Sequence, residues 1–314
     1  MRVAILDDYQ GVALELADWS PVAARAEISV FRDHLAEPDA VVERLAPFDV
    51  VCVMRERTPL PRSILERLPR LRLIASTRRR NASIDTAAAT ELGIAVVTTG
   101  ASSSSTVELT WALLLASARS LVEEAAAVRS GGWRRTVGTG LRGKTLGVLG
   151  LGNIGGEVAR IAQAFGMHVI AWSQNLTTEA AAAAGAARVD KEALFGQADF
   201  LTIHLVLSAR SRGLVDAAML ALMKPTAHLV NTSRGPIVDA AALLDALRAG
   251  RIAGAAVDVF DSEPLPADHP FRTQERLLAT PHIGYVSQEV YRSFYGETVS
   301  NIAAWMAQRA ASGR

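Results

Sequence analysis

The stretch KTLGVLGLGNIGGEVARIAQAFG, residues 144–166, decides the fold. Its apolar opening reads as a buried strand. That strand ends in Gly150-Leu151-Gly152-Asn153-Ile154-Gly155 and runs straight into a helix. Gly150 permits the tight turn, Gly152 lets a backbone approach a pyrophosphate, and Gly155 lets the helix pack close to the strand. The N–H groups at the helix start then face the phosphates, with the helix dipole helping. A bare glycine pattern often means only a tight turn. With a strand before it and a helix after it, the pattern reads as a dinucleotide-binding turn.

Such a turn asks for an acid at the end of the following strand, to hold the adenosine ribose hydroxyls. That strand lies in HVIAWSQNLT (168–177), and Ser173 stands where the carboxylate is expected. Without the acid a 2′-phosphate is not repelled, and without an arginine in SQNLTT it is not strongly attracted. Ser173, Gln174, Asn175 and Thr177 are able to hydrogen-bond either group, so the sequence leaves NAD against NADP open.

Outward from this segment, short β-rich runs alternate with alanine- and leucine-rich helical stretches. They lie at 3–6, 50–54, 71–76 and 94–99, then at 145–150, 168–172, 200–204, 228–232, 254–260 and 277–280. Continuous apolar runs mark strands covered on both faces, and with helices between them they predict parallel sheets built from βαβ units. The Ser/Thr-rich TTGASSSSTVEL (98–109) is the one clear shift in composition. It suggests a domain boundary near residue 100 and a cap for a helix starting near Thr106, with Glu108 in its first turn. From 286 to about 308, Val286, Val290, Phe294, Ile302, Trp305 and Met306 fall roughly on one helical face.

Composition narrows the function classes. The 314 residues suffice for two domains, half are hydrophobic, and the net charge is +1. That excludes a disordered chain and gives no reason to expect nucleic acid or an anionic membrane as partner. Cys52, the one cysteine, sits inside an apolar run. It reads as a buried thiol in a reducing compartment, with no disulfide framework and no zinc cluster. Asp7 and Asp8 interrupt the first apolar run, so no signal peptide is read there, and no apolar stretch is long enough to span a bilayer. The expectation is a soluble, cytoplasmic protein without a metal.

Three polar stretches follow three late strands: NTSRGP with Arg234, VDVFDSEP with Asp258 and Glu263, and TPHIGY with His282. Each alone has a plain explanation: a surface guanidinium, a solvated acid, a hydrogen-bonded histidine beside a turn. Their joint placement counts for more, because parallel sheets of this kind bind ligands at the carboxyl ends of their strands. Arginine suits a planar carboxylate, and histidine exchanges a proton near neutral pH. A carboxylate beside the histidine favours the imidazolium and fixes the ring.

These residues resemble the D-2-hydroxyacid dehydrogenase family, the group of phosphoglycerate dehydrogenase and glyoxylate/hydroxypyruvate reductase. The resemblance runs through NASID (81–85), STVELTWALLLA (105–116), LRGKTLGVLGLGNIG (141–155), MKPTAHLVNTSRGPIVD (223–239), AAVDVFDSEPLP (255–266) and ATPHIGYVS (279–287). It implies an α/β fold of two doubly wound parallel-sheet domains. A Rossmann-type dinucleotide-binding domain, residues 100–285, would be inserted in a flavodoxin-like substrate domain made of 1–99 and 286–314, with a cleft between them. It implies hydride transfer between NAD or NADP and a 2-keto or D-2-hydroxy acid. Arg234 would bind the carboxylate, His282 would be the acid–base catalyst, and Glu263 would pair with it. Cofactor contacts would come from Thr106, Gly150, Gly152, Asn153, Ile154, Gly155, Ser173, His204, Val206, Thr232, Arg234, Asp258, His282 and Gly284. A homodimer through the helix from Thr106 and the loop holding Trp133 is implied as well.

The pattern breaks in IASTRRRNASID (74–85), where Arg78 replaces the glycine that normally follows the threonine of this substrate loop. Thr77 and Arg78, with Arg55 of VCVMRERT (51–58), are candidate substrate residues. The three arginines 78–80 read either as a solvated loop, as extra charge for a substrate with a second anionic group, or as damage to the carboxylate pocket. In HLVLS (204–208), Val206 replaces a common proline. The alternative function is an NAD(H)-sensing, corepressor-like interaction protein on the same scaffold. Glu263 argues against formate dehydrogenase, which pairs its histidine with a glutamine, and the scattered histidines argue against a metalloenzyme.

Overall fold

The computed structural model describes residues 1–79, 81–100 and 102–311, so Arg80 of the arginine run lies outside the described residues. The chain divides into two compact units, Met1–Ser102 with Val286–Arg314, and Ser103–Tyr285.

The first unit holds β1 (Arg2–Ile5), β2 (Glu27–Val30), β3 (Val50–Val53), β4 (Leu73–Ser76) and β5 (Ala95–Thr98). They form one parallel sheet in the order β2-β1-β3-β4-β5, the flavodoxin-like order. Central strands β3 and β4 are buried at every residue, as their unbroken apolar runs require. Cys52 lies buried in β3, where loss of water pushes its thiol up to about 12. The long helix Gln288–Ala311 belongs to this unit. It buries Val290, Phe294, Ile302 and Met306, while Glu297 accepts the Gly100 N–H at 2.6 Å. Among the described residues no helix is long and apolar enough to cross a membrane.

The second unit holds β6 (Thr145–Leu149), β7 (His168–Trp172), β8 (Ala187–Arg188), β9 (Phe200–Ile203), β10 (His228–Asn231), β11 (Gly254–Val257) and β12 (Leu277–Ala279). All run parallel in the order β12-β11-β10-β9-β6-β7-β8, which places the first of them mid-sheet, as in a doubly wound dinucleotide fold. One core gathers Leu194, Phe195, Leu220, Leu243 and Leu247. The other packs Trp111 and Leu114 of helix Ser104–Ala118 with Val158, Ala159 and Ala162 of helix Asn153–Ala164. Strand order reverses between β6 and β9, so the Gly150 turn and His204 stand at the switch point, where such sheets bind ligands.

Local expectations differ in three places. Helix Ser104–Ala118 starts two residues before Thr106, its N-cap Ser103 makes no capping bond, and Glu108 falls beyond the first turn. The run at 254–260 stops being strand at Val257, because Asp258 turns its side chain into the neighbouring loop. Two of the four edge strands, β2 and β8, escape the hydrophobic reading, for β2 has no fully buried residue and β8 is only two exposed residues.

Candidate active site

The Gly-rich turn fits a pyrophosphate. Gly150 adopts φ +102°, and a Cβ there would sit 2.9 Å from the His204 backbone carbonyl. A Cβ on Gly155 would come within 2.1 Å of the residue-150 backbone oxygen, so the helix approaches the strand this closely only because residue 155 is glycine. At Gly152 a Cβ would project into open space. That leaves room for a phosphate beside the helix start. Helix Asn153–Ala164 has no side-chain cap, which leaves its first N–H groups for an anion. Asn153 and Ile154 open this helix. His204 is half-buried and its Nε2 lies 2.9 Å from the Thr202 hydroxyl, and desolvation of the ring drives its pKa down to about 3. Val206 is exposed, and Ser173 is half-buried directly after β7.

Arg234, Glu263 and His282 follow three consecutive strands, β10, β11 and β12, that lie side by side. His282 Nδ1 lies 2.6 Å from Glu263 Oε2, with both side chains mostly shielded. The other oxygen of Glu263 accepts the Phe260 N–H at 2.9 Å. This bond orients the carboxylate before it meets the ring. With Nδ1 committed to the carboxylate, proton exchange with another molecule falls to Nε2.

Why His282 stands there is answered by Asp258. This carboxylate is fully buried and accepts three bonds: the Thr280 hydroxyl at 2.7 Å and the N–H groups of Ile283 and Gly284, both at 2.8 Å. Burial holds its carboxyl above the ordinary range, opposed by these donors and by the charge of His282. The grip on both sides secures His282 at φ +53°, a left-handed backbone that few non-glycine residues adopt. Gly284 in turn receives the Thr106 hydroxyl on its carbonyl at 2.9 Å, and Thr110 bridges the Thr106 carbonyl to the Thr232 hydroxyl, both at 2.8 Å. This clamp was not legible in the sequence, where Asp258 reads only as an acid near the cofactor.

Arg234 is held by its own loop. Its Nη1 donates to the Ser233 carbonyl at 2.7 Å, while the Asn231 amide donates to the Arg234 carbonyl at 3.0 Å. The Ser233 hydroxyl donates to the Leu205 carbonyl. Gly235 explains the residue after the arginine: a Cβ there would lie 2.2 Å from the Phe260 carbonyl carbon. Glycine therefore lets the arginine loop press against the loop that carries Glu263.

In the first unit, Arg55 follows β3 and Thr77 follows β4. The Arg55 N–H donates to the Thr77 hydroxyl at 2.8 Å, and the Thr77 N–H to the Val53 carbonyl at 3.2 Å. Arg78 adopts φ +88°, with its N–H donating to Thr99 Oγ1 at 2.9 Å. It thus occupies a glycine's backbone conformation while carrying a guanidinium. Among the described residues no group of three His, Cys, Asp or Glu could hold a metal ion.

A doubly wound parallel sheet with a glycine turn open at Gly152 at its switch point, and a carboxylate-backed histidine at the same strand ends, is the scaffold of a nucleotide-dependent oxidoreductase. Residues 111–284 match the profile of the D-isomer specific 2-hydroxyacid dehydrogenase NAD-binding domain. The chain is 38% identical to a glyoxylate reductase of Thermococcus litoralis, over 89% of this chain and 87% of that protein. It is 39% identical to a D-3-phosphoglycerate dehydrogenase of Methanocaldococcus jannaschii over 81% of this chain, but spans only 49% of that longer protein. A phosphoglycerate oxidoreductase structure from Vibrio cholerae superposes with TM-score 0.93 at 33% identity, covering 98% of this chain and 99% of the other. The chain belongs to the D-isomer specific 2-hydroxyacid dehydrogenase family. It is an NAD(P)-dependent oxidoreductase that transfers hydride between a nicotinamide cofactor and a 2-keto or 2-hydroxy acid. The named relatives are oxidoreductases, which gives the sensing alternative no support.

Proposed function

We propose that the second unit binds the dinucleotide and that its histidine–glutamate pair drives reduction of a small 2-keto acid to the D-2-hydroxy acid. The observation that carries this reading is the 2.6 Å pairing of His282 Nδ1 with Glu263 Oε2. A bound nicotinamide supplies the hydride. His282 delivers a proton from Nε2 to the substrate oxygen, and Glu263 stabilises the imidazolium and keeps the ring oriented. Arg234 binds the substrate carboxylate through paired charge-assisted bonds and polarises the keto group beside it. In the oxidative direction His282 takes the proton back.

Gly150, Gly152, Asn153, Ile154 and Gly155 receive the pyrophosphate, Ser173 the adenosine ribose. His204, Val206, Thr232, Gly284, Thr106 and Asp258 contribute around the nicotinamide half. Arg55, Thr77 and Arg78 are substrate residues in this reading, supported by two left-handed arginines and an engaged threonine at adjacent strand ends. A homodimer is supported by the exposed Leu121, Val122, Val128, Trp133 and Val137, which lie on helix Leu121–Arg129 and the segment after it.

The test is a panel of glyoxylate, hydroxypyruvate and larger 2-keto acids, each assayed with NADH and with NADPH by loss of absorbance at the reduced nicotinamide band. Turnover with at least one acid is expected. Cofactor binding with no turnover on any of them would overturn the reading.

A further inference from the structure

Strand β8 brings an arginine to the ribose loop that the local sequence SQNLTT lacks. Ala171 of β7 stands opposite Arg188 of β8 in the parallel ladder. Ala171 and Arg188 therefore leave the sheet on the same face, and Ser173 follows two residues after Ala171, just past the end of β7. Arg188 Nε donates to the Leu176 carbonyl at 2.8 Å, which pins the guanidinium to the loop joining Ser173 to helix Thr178–Ala183. Its two terminal nitrogens make no hydrogen bond among the described residues. Asp190, two residues further on, forms no ion pair with it there, so the charge is not neutralised by the nearest acid. Thr177 is already used as the cap that accepts the Ala180 N–H at 3.1 Å. Ser173 stands at the strand end where an adenosine ribose hydroxyl is read in a fold of this kind, Gln174 and Asn175 follow it, and the Arg188 guanidinium is a cation anchored to the same loop.

We infer that Arg188 and Ser173 together form a 2′-phosphate site, so that the chain prefers NADPH to NADH. Chemistry favours the phosphate on both counts. A serine at the strand end removes the carboxylate that would repel it and offers one neutral hydrogen bond. An anchored guanidinium then presents its outer N–H groups to a dianion. The inference rests on the reading of Gly150–Gly155 as the dinucleotide turn.

The test uses binding rather than turnover. Adenosine 2′,5′-bisphosphate and 5′-AMP, which differ only in the 2′-phosphate, are titrated calorimetrically into the full-length protein, with NADPH and NADH titrated by fluorescence. The bisphosphate is expected to bind at least about tenfold more tightly than AMP, with the same order for the whole cofactors. Arg188→Gln should collapse that ratio to within about threefold, Arg188→Lys should retain part of it, and Ser173→Asp should reverse it. Melting temperatures near that of the parent would show that the variants remain folded. A parent that binds AMP and NADH as tightly as their phosphorylated partners overturns the inference. So does a preference that survives in Arg188→Gln, which would place its source elsewhere. Failure of all four ligands to bind would remove the dinucleotide reading itself, a different result from a missing preference.

Discussion

Single residues carry the chemistry, and their neighbours decide whether they are in place. His282 has the reacting ring, yet its left-handed backbone is held by Asp258, which grips Thr280 on one side and Ile283 and Gly284 on the other. His282→Gln should abolish reduction with little change in melting temperature, since it removes the proton donor and leaves a polar side chain of similar size in its place. Asp258→Asn should lower both. The amide puts an NH2 against a backbone N–H inside a buried site, at a cost of about 1–3 kcal/mol. Steady-state kinetics beside thermal melts separate the two, and an Asp258→Asn protein with unchanged kcat would mean that the clamp does not position the ring. Arg78 poses the opposite problem, a large side chain at φ +88°. Arg78→Gly should relieve roughly 1 kcal/mol of backbone strain. It should also lower kcat/KM for 2-keto acids with a second anionic group more than for glyoxylate. An equal change for both substrate types would make the arginine a solvated loop residue.

Elements position these residues, and at this scale the sequence was informative in a selective way. Strands β1, β3, β4, β6, β7, β9, β10 and β11 announce themselves because the interior of a parallel sheet is buried on both faces and must be apolar without interruption, and edge strands β5 and β12 show through short apolar runs of their own. Edge strands β2 and β8 lack a fully buried residue, need no such run, and stay silent. A silent β8 also hides that Arg188 stands opposite Ala171 and bonds the loop after Ser173, so the sequence alone leaves the cofactor question open. The strand-end motifs gave Arg234, Glu263 and His282, but not the through-space bonds of Asp258 or the contact at Gly235, because those depend on loops that meet only in the folded chain. Gly235→Ala tests that contact. Its new methyl would fall 2.2 Å from the Phe260 carbonyl carbon, and backbone cannot swing aside as a side chain does. The two loops must separate, at a cost of about 1–3 kcal/mol by overpacking. Lower melting temperature and lower kcat are expected together, and an unperturbed variant would show that the loops have slack.

Across the whole molecule, burial of imidazoles in the larger sheet couples stability to pH. His204 is held down to about 3 by burial, and His228, stacked on Phe200 and bonded to Ser117 Oγ at 2.8 Å, is lowered for the same reason. Above pH 6.5 both rings are neutral whether the chain is folded or not, and they add no pH dependence. Below that value the unfolded chain takes up protons that the native state refuses, so unfolding becomes easier as pH falls, by up to about 1.4 kcal/mol per pH unit for each ring. For His204 the loss continues to about pH 3, where the folded ring also protonates. Asp258 acts in the other direction. Its raised carboxyl pKa weakens the native state above that pKa, and the deficit is recovered as pH falls through it toward the unfolded value of 3.8. Replacing one histidine isolates its share. His204→Gln keeps a polar group within reach of the Thr202 hydroxyl but carries no titrating ring. Urea unfolding of the apoprotein at pH 7.5, 6.5, 5.5 and 4.5 should give a shallower fall for this variant than for the parent, with the two curves parallel above pH 6.5. Adding His228→Asn should flatten the curve further. Identical slopes for parent and His204→Gln between pH 6.5 and 4.5 would mean that the native protein protonates His204 as readily as the unfolded chain does, and the switch-point imidazole would then not be the neutral group that its burial demands.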